Sequence, residues 1–222
     1  MCGRFVQSSP VERYARMFGA AATVESAPRY NAAPTQPILA VRVAPSGMRE
    51  LVPLRWGLIP AWSAGPDNRY SMINARAETV HQKPAYRDAF RRRRCLIPAD
   101  GFYEWRQECS GREPYYIRLR DGEPFAFAGL WESWQQPGGE RIDSCTIIVT
   151  EANELVRPIH DRMPVILPPE SHTAWLDPDQ RDPARLLPLL RPYPAQAMEA
   201  WRVSRRVNNP RHDGPDLIER AA

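Results

Sequence analysis

The second residue of the chain is a cysteine, and its position gives it chemistry that an internal cysteine lacks. A small residue after Met1 favours removal of that methionine, which would leave Cys2 with a free α-amine and a thiol on adjacent carbons. The amine condenses with an aldehyde to form an imine, and the thiol then closes a five-membered thiazolidine. Because an α-amine has a pKa near ~8, an appreciable fraction is neutral at cellular pH. A buried structural cysteine is the alternative reading of the position.

Two short segments carry polar side chains that could work beside such a nucleophile. Asn74 can both donate and accept hydrogen bonds, so it could orient a thiol, an amine or a sugar oxygen. Arg76 follows two residues later and could pair with a phosphate. His160 stands next to Asp161 and Arg162, where it could transfer a proton while the arginine binds a phosphate. Each segment taken alone also fits a purely structural role.

Glu104 carries a carboxylate and has aromatic neighbours in the sequence, in the segment Gly101-Phe102-Tyr103-Glu104-Trp105. If this segment is a strand, Phe102 and Glu104 lie on one face, with Tyr103 and Trp105 on the other. Burial beside aromatic rings would raise the carboxyl pKa and suit the group to acid–base catalysis. A solvent-exposed strand glutamate is the alternative.

Two tryptophans, Trp56 and Trp62, bracket a Gly/Pro-rich segment. Exposed aromatic rings can stack on unpaired bases, whereas a buried tryptophan belongs to the core. The sequence predicts that at least one of the two is a core residue.

The elements that must position these side chains are short. Ser9 followed by Pro10 and Glu12 predicts a helix start with Ser9 as the cap, and Gly19 predicts its end. Helices are also predicted at 86–93, after Thr150, at 170–176 and at 183–190. Alternating patterns and turn residues predict strands at 38–43, 48–54, 55–59, 95–98, 101–107, 115–120, 125–131, 142–150, 163–167 and 200–204.

This pattern predicts an α+β fold, with a mostly antiparallel, twisted or barrel-like sheet flanked by short helices. No linker or internal repeat divides the chain, so we expect one domain over residues 1–222, with a flexible tail from roughly residue 213.

Composition excludes several classes of protein. No apolar stretch is long enough to cross a bilayer, and the N-terminal residues lack the apolar core of a signal peptide, so we expect a cytoplasmic protein, or a nuclear one in a eukaryote. The net charge of +4 is compatible with nucleic acid, and of the 30 basic side chains only Lys83 is a lysine. The four cysteines and four histidines lack zinc-site spacing. We therefore expect no metal site. We also expect no cofactor and a monomer.

The ordered set of motifs resembles the SOS response-associated peptidase family of abasic-site processing proteins over residues 2 to about 210. The motifs that carry the resemblance are Met-Cys-Gly-Arg-Phe at the start, Arg29-Tyr30-Asn31-Ala32-Ala33-Pro34, Trp56-Gly57-Leu58-Ile59-Pro60, Asn74-Ala75-Arg76-Ala77-Glu78, Gly101-Phe102-Tyr103-Glu104-Trp105 and His160-Asp161-Arg162-Met163-Pro164.

The resemblance implies a partner, single-stranded DNA that contains abasic sites, and a cross-link to it through Cys2. It implies that Asn74 positions the nucleophile, Glu104 is the acid/base, and His160 assists proton transfer at the sugar. It further implies DNA contacts for a larger set: Arg4, Arg76 and Arg162 at phosphates, Asn31 and Thr150 as minor contacts, and Trp56 or Trp62 as supports of the cleft.

Two other functions stay open from the residues. A thiol peptidase would use Cys2 with His160. A non-covalent reader of single-stranded or modified DNA would use the arginines and tryptophans and leave Cys2 without a role. An assay for a DNA adduct, set beside one for peptide hydrolysis, separates the three.

Overall fold

The structure is a computed structural model and describes residues 2–22, 24–66, 72–109, 111–135 and 138–221. Met1, whose removal the sequence predicts, lies outside these residues. The described strands are β1 (Phe5–Gln7), β2 (Ala21–Ala22), β3 (Arg29–Ala32), β4 (Pro37–Val43), β5 (Arg49–Trp56), β6 (Asn74–Arg76), β7 (Arg94–Ala99), β8 (Gly101–Glu108), β9 (Gly111–Leu119), β10 (Phe125–Gln135), β11 (Arg141–Glu151), β12 (Arg162–Pro164), β13 (Ile166–Leu167) and β14 (Met198–Arg202).

The described α-helices are short: α1 (Val11–Phe18), α2 (Arg87–Arg92), α3 (His172–Leu176) and α4 (Pro183–Leu186). Single 3₁₀ turns lie at Pro169–Ser171, Leu187–Leu189, Ala195–Ala197, Arg205–Asn208 and Pro215–Ile218. None of the helices in the described part of the chain has the length and apolar character needed to cross a membrane.

The strands form two sheets. The small sheet has the order β14-β9-β8-β1-β3 and is antiparallel throughout. The large sheet has the order β12-β11-β10-β7-β4-β5-β2, with β13 paired to β10 and β6 paired to β11. Its parallel pairings are β2 with β5, and β11 with β5 and β6. The predicted fold class, a mostly antiparallel sheet structure with short helices, is confirmed.

Alternation along the strands builds separate core layers. On β10, Phe125 and Phe127 join a core cluster that contains side chains of both sheets. Ala126 and Ala128 point to the opposite side, into a cluster that α1, α2, α3 and α4 cover. Because successive strand residues point to opposite faces, one strand serves both layers. The large sheet is therefore buried between the helices and the small sheet.

Strand β1 ties the N-terminal segment into both sheets. Phe5 pairs with Phe102 on β8, and the backbone N of Tyr103 donates to the Arg4 carbonyl at 3.0 Å, which continues the ladder toward Cys2. The buried Gln7 amide donates to two carbonyls of the large sheet, at 2.9 and 2.8 Å. Since a shifted register would break these bonds, they fix where Cys2 lies.

The predicted start of α1 is wrong in its capping residue. Pro10 is the residue before the helix, and the hydroxyl of Ser9 donates instead to the Asp100 carboxylate, 2.5 Å away. The same carboxylate accepts from the hydroxyl of Tyr14. A carboxylate with charge-assisted bonds outcompetes a local cap. The predicted end at Gly19 is confirmed, with a left-handed φ of 59°.

Two other segments differ from expectation. The predicted helix after Thr150 is absent from the described residues, where 154–159 form turns. The segment from residue 213, expected to be a flexible tail, packs against the small sheet: Leu217 is fully buried and Asp213 accepts from Arg29 at 2.8 Å. A second hydrogen bond joins the Ala221 amide to the Arg202 carbonyl at 2.9 Å.

Candidate active site and DNA groove

Cys2 lies fully buried in the core between the two sheets. Its carbonyl accepts a hydrogen bond from Asn74 Nδ2 at 2.8 Å. Asn74 begins β6, which pairs in parallel with β11 through Ile147. Strand β6 therefore brings an amide of the large sheet onto the N-terminal segment of the small sheet.

The amide oxygen of Asn74 belongs to the same side-chain group that binds Cys2. Its Oδ1 is buried and makes no hydrogen bond with any described residue. Since a buried carbonyl oxygen without a partner is unfavourable, this atom is ready to accept from an amine or a hydroxyl at Cys2. The hydroxyl of Tyr86 donates to the Asn74 backbone carbonyl at 3.3 Å, and this bond helps to hold β6 in place.

Glu104 lies on β8 with only 2% of its surface exposed. As predicted, its face is that of Phe102, which joins the core between the sheets, while Tyr103 belongs to the opposite cluster. Burial raises the carboxyl pKa from its ordinary 4.5 to about 7. A carboxyl that titrates near neutral pH can both give and take a proton there.

The Cys2 thiol lies within electrostatic range of this carboxyl. Burial, and then the negative charge of Glu104, raise the thiol pKa above its ordinary value. The free thiol is therefore protonated at neutral pH, and its sulfur needs a proton acceptor before it can act as a nucleophile.

His160 is held in one tautomer. Its Nδ1 lies 3.0 Å from the backbone N of Arg162 and 3.0 Å from Asp161 Oδ1. Because the backbone N–H can only donate, Nδ1 accepts and the neutral ring carries its proton on Nε2. Burial lowers the His160 pKa below its ordinary 6.5, which favours this neutral form. The contact with Asp161 becomes an ion pair only when the ring is protonated.

Arg76 and Arg162 flank the end of β11 on opposite edges. Arg76 on β6 pairs with Val149, and Arg162 on β12 pairs with Glu151. Arg162 Nη1 donates to the carboxylate of Glu78. Two guanidinium groups are thus placed on the large sheet beside Asn74 and His160, where a DNA backbone could pass.

An open groove of about 700 Å³ leads away from Asn74. Arg76, Lys83 and Tyr86 line it, together with Trp62, whose side chain is 68% exposed. Such a surface, with cations and one free aromatic face, suits an unpaired strand. Trp62 also lines a neighbouring apolar pocket of about 260 Å³.

Several residues that the resemblance implied as DNA contacts lie inside the protein. Trp56 is fully buried and donates from Nε1 to the Ile73 carbonyl at 3.0 Å, so it supports the cleft only from within. Thr150 is buried on β11. Neither side chain lines the groove.

Arg4 and Asn31 form hydrogen bonds that attach the C-terminal segment to the small sheet. Asn31 is fully buried, and its Nδ2 donates to the carbonyls of Val207, Asn209 and His212 at 3.2, 3.2 and 2.9 Å. Arg4 Nη1 donates to Asn31 Oδ1 at 3.1 Å and to the Val207 carbonyl at 2.8 Å. Their hydrogen bonds are used to hold the C-terminal segment, so a phosphate role for Arg4 requires an exchange of partners.

Three further residues lie near the candidate site. Lys83 and Tyr86 line the groove, and Glu78 contacts Arg162. One of them had a sequence signal: in Asn74-Ala75-Arg76-Ala77-Glu78 every second residue is polar and the residues between are alanines. This alternation indicates one polar strand face.

The family model for SOS response associated peptidase (SRAP) matches residues 1–210. The chain belongs to this family. Abasic site processing protein YoqW of Bacillus subtilis (strain 168) is 45% identical over 223 residues, which cover 99% of this chain and 99% of that protein. Abasic site processing protein HMCES of Xenopus tropicalis is 34% identical over 221 residues, which cover 86% of this chain and 65% of that protein.

The SRAP fold is also seen in a solved structure. An X-ray crystal structure of a protein from Bacteroides thetaiotaomicron superposes with a TM-score of 0.90 at 28% identity, and the match covers 100% of both chains. The two-sheet arrangement that carries the candidate site is therefore shared over the full length.

Proposed function

We propose that this SRAP chain processes abasic sites in single-stranded DNA by forming a covalent bond between Cys2 and the ring-opened deoxyribose. The observation that carries the proposal is the placement of Cys2 between Asn74, which binds its carbonyl, and the buried Glu104. The names of relatives in B. subtilis and X. tropicalis, both abasic site processing proteins, support it.

The reaction starts after Met1 has been removed and Cys2 carries a free amine. The abasic sugar opens from its hemiacetal to the C1′ aldehyde. The amine nitrogen attacks C1′, and loss of one water gives an imine. The thiol sulfur then adds to C1′, its proton passes to the nitrogen, and a thiazolidine ring closes. The net reaction joins amine, thiol and aldehyde with release of one water.

Each neighbouring side chain has a role in these steps. Glu104, with its pKa near 7, accepts the thiol proton and gives a proton to the departing hydroxyl. His160 donates from Nε2 to the sugar during ring opening, because Nδ1 is engaged by Arg162 N–H. Asn74 aligns the backbone of Cys2 and offers Oδ1 to its amine.

The groove holds the strand on either side of the lesion. Arg76 in the groove and Arg162 on the other edge of β11 bind phosphates, and Trp62 offers its exposed face to an unpaired base. Ring closure at Cys2 removes the aldehyde and so protects the strand from β-elimination.

The thiol peptidase reading receives less support. A Cys–His peptidase needs a thiolate, which requires a lowered pKa, whereas burial and Glu104 raise the pKa of the Cys2 thiol. A cyclisation that follows imine formation needs no standing thiolate, since the proton leaves only as the sulfur adds.

The test is a mass spectrum of the protein after incubation with a single-stranded oligonucleotide that holds one abasic site. Intact mass first establishes that Met1 is absent. We expect an adduct of protein plus oligonucleotide minus one water. After heating without borohydride, Cys2→Ala should show no adduct, whereas Cys109→Ala, which alters an exposed cysteine, should form it normally.

Cys2→Ser separates the two bond-forming steps. It keeps the amine, so borohydride should trap an imine, but the cyclised product that survives heating without borohydride should be lost. An equal adduct in Cys2→Ala, or its absence in the wild type with Met1 removed, would refute the proposal.

A further inference from the structure

Glu78 contacts Arg162 and lies within electrostatic range of Arg76, the two arginines that are proposed to bind phosphates. Its carboxylate accepts from Arg162 Nη1, and the pair stays in contact with water, with 24% of the arginine and 50% of the glutamate side chain exposed. Partial burial would raise the Glu78 pKa, but its hydrogen bonds and the charges of Arg162 and Arg76 outweigh this and lower it. The carboxylate is therefore ionised at neutral pH.

Two segments of the chain, here called arms, carry the residues of the candidate site, and this carboxylate lies where they meet. One arm runs from Asn74 through Arg76 to Glu78, and the other from His160 to Arg162. The two arms flank opposite edges of β11, and the Glu78–Arg162 pair spans them. Asn74 and His160, which the proposed function places at the abasic sugar, belong to the same two arms, so the Glu78–Arg162 pair lies close to the site where that sugar would bind.

We propose that Glu78 is a specificity-determining residue: its carboxylate occupies the phosphate-binding side of Arg162 in the free protein and competes with the DNA backbone. This inference rests on the proposed function for the role of Arg162. Carboxylate and phosphate present the same kind of oxygen pair to a guanidinium, so one replaces the other directly.

The competition lowers the affinity for every DNA strand, but it reduces the final amount bound only for undamaged strands. An undamaged strand must break the ion pair and gains no covalent bond in return. A strand with an abasic site is retained by the bond to Cys2, so weak initial binding does not prevent its capture. Glu78 thereby reduces occupancy by intact single-stranded DNA, which is in large excess over lesions.

The test uses Glu78→Gln and an undamaged oligonucleotide, whose dissociation constant is measured by fluorescence anisotropy over a salt series. We expect binding roughly threefold to fivefold tighter than wild type, the scale of one exposed ion pair. The slope of log K against log salt should become steeper, because added salt also screens the Glu78–Arg162 pair that opposes binding in the wild type.

Glu123→Gln is the matched control, because Glu123 also forms an exposed ion pair, with Arg13 at 2.8 Å, outside the groove. It removes the same charge, so an effect of net charge alone would appear equally in both variants and would overturn the inference. Unchanged or weaker binding by Glu78→Gln would overturn it as well. Glu78→Ala should tighten binding too, and thermal melting checks that each variant is folded.

Two further readouts separate competition from a structural role. In the Arg162→Ala background, Glu78→Gln should lose most of its effect on affinity. With abasic DNA, the concentration for half-maximal cross-linking should fall, while the rate at saturation does not rise. Because affinity for undamaged DNA needs no chemistry at Cys2, failure of the proposed cross-link would not be mistaken for failure of this inference.

Discussion

The buried Glu104 carboxyl should make the protein less stable at alkaline pH, and Glu104→Gln should reverse that loss while abolishing cross-linking. The unfolded chain holds the carboxyl at its ordinary pKa of 4.5, whereas burial raises the folded value to about 7. Below pH 4.5 both states are protonated. Between the two values only the unfolded state ionises, so it binds fewer protons and stability falls as pH rises.

The size of the effect follows from the two pKa values. Their difference corresponds to about 3 kcal/mol at 1.36 kcal/mol per pKa unit. Most of this falls between pH 5 and pH 8. Glutamine has the same shape and no charge, so the variant escapes the penalty. Relative to wild type, it should therefore gain about 2 to 3 kcal/mol in unfolding free energy from pH 5 to pH 8.

Urea unfolding of both proteins at pH 5 and pH 8 measures the difference directly, and thermal melting should show a relative rise of roughly 5–10 °C. Glu132→Gln is the control at pH 8: Glu132 is also buried, but it pairs with Arg93 at 2.6 Å, so its loss should destabilise the protein. A pH-independent difference between wild type and Glu104→Gln would refute the argument that desolvation dominates at this site.

Three other substitutions test the site and the fold. His160→Gln keeps a hydrogen-bond donor but cannot transfer protons, so single-turnover cross-linking should slow about a hundredfold, and equal rates would exclude the proton-transfer role. Asn31→Ala deletes a buried amide that makes three side-chain donations to the C-terminal segment, and should lower stability by about 2–4 kcal/mol in urea unfolding. Gly101→Ala would bring Cβ into collision with the Tyr116 ring, so urea unfolding should show a loss of about 1–3 kcal/mol.

Local rules in the sequence were sufficient for much of the secondary structure. The alternation around Phe102 and Glu104 predicted both the strand and the face on which the carboxyl lies, and the structure agrees. Gly19 ended α1 as predicted, because a left-handed residue at that point needs no long-range partner. Ser9 is not the cap because its hydroxyl is oriented toward Asp100, which is 91 residues away in sequence, and does not accept from the first turn of the helix.

What the sequence by itself determined is the chemistry that is available: an amine and a thiol at Cys2, a carboxyl among aromatics, an amide, an imidazole and a set of arginines. Its motifs also indicated the family. Residue types and spacing did not determine which of these groups meet, because Cys2 precedes β1 and Glu104 lies on β8, both in the small sheet, while Asn74 belongs to the large sheet. Only the packing of the two sheets brings them together.

The tertiary structure also decided which polar residues remain free to bind DNA. Asn31 and Trp62 look equally suited to a ligand in the sequence, yet one is fully buried and the other is largely exposed. Arg162 is held by Glu78, although 84 residues separate them. The burial of a side chain and its hydrogen-bond partners depend on contacts between distant segments. These contacts raise the pKa of Glu104 and pair Arg162 with Glu78.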